Sequence, residues 1–172
     1  MLRRLLLAVL LLAGILSRPA KAAHSGAPPS PLWLYQGSWQ VTHPNAGAPG
    51  EPYQLTNDCA QLGLYFACQQ SVNGKPVRLL IMISTDKPGH FHTQTILPEG
   101  RATGLDDLEI SGNQWVFTSS RREGGKTTYY RTINTFSGKN KIHFEQAEST
   151  DGKQWTTKSS GDEAKVSNSR AH

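Results

Sequence analysis

Apolar and polar residues alternate over short runs along most of the chain, and turn residues separate the runs. The rhythm is clearest between Lys126 and Lys158. Residues 127–134 and 141–149 are rich in Thr, Tyr, Ile and Phe, with the turn Ser137-Gly138-Lys139-Asn140 between them. A third run, 154–158, follows Asp151-Gly152, a dipeptide suited to a turn that needs positive φ. Period-two alternation in runs this short, bounded by Gly, Asn and Asp, predicts half-buried β-strands joined as a meander.

The same pattern extends upstream. Gly37-Ser38-Trp39-Gln40-Val41 alternates as a first strand, preceded by the apolar cluster Leu32-Trp33-Leu34-Tyr35, which suits one helical turn over the end of a sheet. Residues 53–59 and 64–71 form the next pair, and Asn73-Gly74 is a hairpin signal leading into 77–84. Leu79 to Ile83 is apolar at every position, which predicts a strand covered on both faces. Strands are expected at 90–97, 105–110 and 115–119, and a closing strand at 161–166. The total is ten or eleven short strands, and no amphipathic helix exceeds two turns.

So long a meander would leave two unpaired rims, and closure removes them. The expected fold class is therefore all-β, an up-and-down antiparallel meander closed into a barrel of about ten strands. A two-sheet sandwich is the alternative, but it needs long crossovers, and only one loop is long enough.

Residues 1–22 read as a secretory signal peptide. Arg3-Arg4 is the basic start, 5–16 the apolar stretch, and Ala20-Lys21-Ala22 the small-x-small cleavage site before Ala23. Residues 23–31 read as a disordered linker, 32–166 as the barrel domain and 167–172 as a disordered tail. The signal changes the charge argument. Eighteen basic and 13 acidic residues give the chain +5. Four of the basic ones (Arg3, Arg4, Arg18 and Lys21) lie in the segment to be removed and no acidic one does, which leaves +1. A scattered +1 does not suit nucleic acid. The apolar stretch is shorter than the ~20 residues of a membrane span, so no stable membrane insertion is expected. With no Asn-x-Ser/Thr acceptor, the chain reads as a bacterial periplasmic or extracellular protein. Cys59 and Cys68, the only cysteines, would face each other across a hairpin turning at Gly63-Leu64. In an oxidising compartment they are expected to form a disulfide.

Gly37-x-Trp39 on the first strand, the meander of about ten strands and the stretch STDGKQW together resemble the lipocalin-like (calycin) barrels. Closer still is the likeness to uncharacterised exported bacterial proteins with that fold. The resemblance spans about 32–166. It implies that Trp39 plugs one barrel end with a basic side chain stacked on it, and Lys165 is the matching position. Haem, bound through a histidine, is a cofactor that some barrels of this kind carry.

Candidate chemistry is sparse. His90 and His92 share a strand face and His143 could join them, a weak set of metal ligands set against a plain polar face. Tyr129, Arg131 and Glu145, with His92, are the candidate ligand-binding residues, since Arg forks onto carboxylates. No nucleophile elbow, zinc-protease motif or phosphate loop is present, so an enzyme is not expected, and no cofactor is assigned. The expected function is to bind a small, mostly apolar ligand with one polar or anionic group. The alternative is a structural or protein-interaction module of the cell envelope with a side-chain-filled barrel. The lumen decides between them.

Overall fold

The computed structural model describes residues 30–42 and 51–166. The signal peptide, nearly all of the linker, and the tail lie outside the described residues.

Among the described residues ten strands follow one another. They are β1 (Gly37–Thr42), β2 (Tyr53–Leu62), β3 (Tyr65–Val72), β4 (Lys75–Ser84), β5 (His90–Ile96), β6 (Asp106–Ser111), β7 (Gln114–Glu123), β8 (Lys126–Ser137), β9 (Lys141–Ser149) and β10 (Thr156–Lys165). Each pairs antiparallel with its chain neighbours, and β10 returns to pair with β1, so the barrel is closed. The protein is thus an all-β meander barrel. The two late runs 154–158 and 161–166 are one strand, β10, whose register against β9 shifts between Thr157 and Ser159.

Glycine punctuates the meander where the backbone must enter the left-handed region. At Asn73-Gly74, φ is 48° and 78°, the two consecutive positive values of the tightest hairpin turn. Gly161 serves packing instead. A Cβ there would lie 2.1 Å from the Thr42 carbonyl and 2.8 Å from the Phe144 ring, so only glycine lets β1 and β9 close in on β10 at this level.

Alternation sorts the side chains into two faces. The inward set at one end includes Trp39, Phe66, Met82, Leu108, Trp115, Phe136 and Ile142, all nearly or fully buried. A 3-10 helix, Pro31–Tyr35, lies against this set and adds Leu32 and Tyr35 to it. Cys59 and Cys68 are partners in the β2–β3 register and form a disulfide. Cys68 is fully buried in the same cluster. One expectation fails. The outer face of β4 (Leu79, Ile81 and Ile83) is only half-buried, because the barrel is one layer thick and no described element covers β4 from outside.

Candidate functional site

The packed end forms a floor. Trp39 is fully buried, and its indole N–H donates to the Tyr35 carbonyl at 3.2 Å. The Asn57 amide donates to the same carbonyl at 3.0 Å. Lys165, opposite Trp39 in register, places its Nζ 5.0 Å from the centre of the indole, and burial lowers its pKa. Tyr35 stacks on Trp115 at 5.3 Å, and Trp115 meets Phe136 at 4.8 Å. The Tyr35 hydroxyl accepts a bond from the Asn134 amide at 3.2 Å. Burial pushes this phenol up to about 12, with the Glu163 charge adding to the rise, so it stays protonated.

Above the floor the lumen is not filled. A cavity of about 560 Å³ runs from Tyr35, Leu80 and Asn134 toward the opposite rim, where Arg101 and Arg121 reach solvent. Its wall carries both polar and apolar side chains. The Arg78 Nε donates to the Gln70 side-chain carbonyl, the Gln70 amide donates to Asn57 Oδ1 at 2.7 Å, and Asn57 ends on the Tyr35 carbonyl. This relay gives the oxygen and one N–H of each of two buried amides a partner, and it ties the Arg78 Nε to the wall.

Glu163 faces the same cavity from β10 and is 8% exposed. Its Oε2 is buried and has no hydrogen-bond partner among the described residues. Burial raises its pKa to about 7, with Arg78 pulling the other way. Glu163 also raises Tyr53, whose phenol burial has already shifted upward. Nearer the rim, burial raises Asp106 and Arg121 opposes the rise. The Arg121 guanidinium stands 5.6 Å from the centre of the Tyr130 ring.

The residues expected to bind ligand are elsewhere. Tyr129, Arg131, Glu145 and His92 all belong to the outer face. The Arg131 guanidinium stacks 4.3 Å above Trp155, and Tyr129 packs against Gly152. Glu145 accepts from Thr157 at 2.9 Å, and His92 pairs with Asp107 at 3.0 Å in the open. Nor do Arg131 and Glu145 meet, since their register partners are Ala147 and Ile133. On β8 it is Tyr130 and Thr132 that line the lumen. The offset is one residue, and one residue exchanges the faces of a strand.

The STDGKQW stretch has a structural explanation. Asp151 Oδ1 accepts from the Ser149 hydroxyl and from the backbone N–H groups of Lys153 and Gln154. These bonds hold the carboxyl below its usual range. The loop so fixed presents Gly152 to Tyr129 and Trp155 to Arg131.

The histidines do not converge. His90 pairs with Glu109 at 3.6 Å, while His143, on β9, pairs with Asp162 at 2.8 Å. Among the described residues no three His, Cys, Asp or Glu side chains are grouped to hold a metal. None of the described residues that line the cavity is a histidine. Among the described residues no helix is long and apolar enough to cross a membrane.

No protein-family model matches the chain, and no curated protein matches it either. Among solved structures, the chain is similar to Rv2717c from M. tuberculosis. The identity is 13% and the TM-score 0.48, over 78% of this chain and 94% of that one. What fold and site define is a closed ten-stranded barrel, plugged at one end and hollow at the other.

Proposed function

We propose that the protein is an exported barrel, distantly related to the calycins, that carries or senses a small molecule in its lumen. The observation that carries this reading is the cavity of about 560 Å³ above the Trp39 floor. That volume falls within the ~300–1,000 Å³ typical of ligand sites. A structural module would have its barrel filled by side chains, as the floor end is.

The wall sets the ligand's character. Leu55, Leu80, Phe117 and Phe144 supply apolar contact, but Arg78, Gln70, Glu163, Asp106 and Arg121 supply as much polar contact. The ligand is better described as polar with an apolar part than as mostly apolar. The anchoring groups are those of the inner wall rather than Arg131 and Tyr129.

Native mass spectrometry of protein purified from its own host tests the proposal, with 8-anilinonaphthalene-1-sulfonate as a second probe. A co-purifying species of small-molecule mass, displaced as the dye enters, is the expected result. Protein that carries no such mass and does not enhance the dye's emission would favour the structural module.

A further inference from the structure

Arg78 and Glu163 line one cavity, and both act electrostatically on Tyr35 and Tyr53. They nevertheless form no ion pair with each other; the described ion pairs all involve other residues. Arg78 is held through its Nε by Gln70, and its side chain is exposed, so its remaining N–H groups are open to water and to a ligand. Glu163 Oε2 is the one buried side-chain polar atom among the described residues with no hydrogen-bond partner. A buried acceptor left unpaired costs about 1–3 kcal/mol, and unpaired groups of this kind are rare in folded proteins. The wall thus offers a fixed donor and an unmet acceptor facing the same space, and neither satisfies the other.

We propose that Arg78 and Glu163 form a two-point receptor for a ligand group with an adjacent hydrogen-bond acceptor and donor, the pattern of an amide, urea or lactam. The ligand carbonyl accepts from the Arg78 guanidinium, and its N–H donates to Glu163 Oε2. A carboxylate would satisfy Arg78 but has no hydrogen to give an ionised Glu163, the form that prevails at pH 7.5. An ammonium would satisfy Glu163 but face the Arg78 charge. An amide group meets both without adding charge to the lumen. The inference rests on the lumen-binding function proposed above and names the chemistry of its ligand.

Three matched fragments test it: benzamide, benzoate and benzylammonium, titrated against the intact protein by ligand-observed NMR at pH 7.5. Benzamide is expected to bind about tenfold more tightly than either ion, the size of one well-placed hydrogen bond to a charged group. Glu163→Leu should abolish that preference, and Glu163→Gln, which keeps a carbonyl acceptor, should retain more of it. Benzoate binding as tightly as benzamide would overturn the proposal without any variant, as would an unchanged preference in Glu163→Leu. If the dye enters but benzamide is not preferred, only this inference fails. If neither dye nor fragment enters, the lumen-binding function fails with it.

Discussion

The ammonium of Lys165 stands 5.0 Å from the centre of the Trp39 ring, across the seam where β10 closes onto β1. One residue comes from the first strand and the other from the last, so the stack joins the two ends of the meander at the buried floor. Trp39→Ala is expected to destabilise the protein by about 3–5 kcal/mol, the cost of emptying a large core site. Lys165→Ala should cost less, about 0.5–2 kcal/mol for a partly desolvated cation over an indole. Urea denaturation of the two variants checks the order, and equal losses would show that the stack rather than the filled floor dominates.

The Cys59–Cys68 bond closes a short loop beside the same floor. Reduction is expected to lower stability by roughly 2–3 kcal/mol in the chain-entropy account. Unfolding curves with and without reductant give the difference, and coincident midpoints would show that the bond contributes nothing.

Glu163 gives stability a pH dependence of known sign. Its folded pKa is raised from 4.5 to about 7 by burial, so the native state holds the proton more tightly than the unfolded chain. Stability is therefore greatest below about pH 4.5 as far as this group is concerned. It falls as pH rises toward 7 and is level above that, by at most about 3 kcal/mol. Melts of wild type and Glu163→Gln at pH 5 and pH 8 isolate the contribution. The variant should lose less between the two, and equal losses would place the titration elsewhere.

Arg131→Ala and Tyr129→Ala should leave entry of the anilinonaphthalene dye into the lumen unchanged, because both side chains hold the β9–β10 loop from outside. The effect of Arg131→Ala should appear as a stability loss of about 0.5–2 kcal/mol, the range for a partly desolvated cation–aromatic contact. Loss of dye binding in a variant that is still folded would show that the outer face takes part after all.

The strands were legible because alternation and turn chemistry act locally. Asn73-Gly74, the β9 span and the facing cysteines all follow from neighbours in sequence. The site was not legible, because its residues are chosen by which way a strand faces. On β8, Tyr129-Tyr130-Arg131-Thr132 offers aromatic and polar residues on both faces, and composition alone does not say which pair looks inward. One signal was available. If Lys165 stacks on Trp39 it points inward, and period two then turns Glu163 inward as well. Likewise Arg78 shares parity with Leu80 and Met82, whose apolar side chains mark the lumen face.

Closure through β10 also sets the order in which the molecule becomes competent. Every other pairing joins strands adjacent in the chain, but the β1–β10 seam joins Trp39 to a partner more than a hundred residues later. Until that strand docks, the barrel has two raw edges, the Trp39 floor lacks its cover, and the cavity lacks the carboxyl of Glu163. Shutting the wall and completing the receptor are thus one event, and a chain cut before β10 would lose both together.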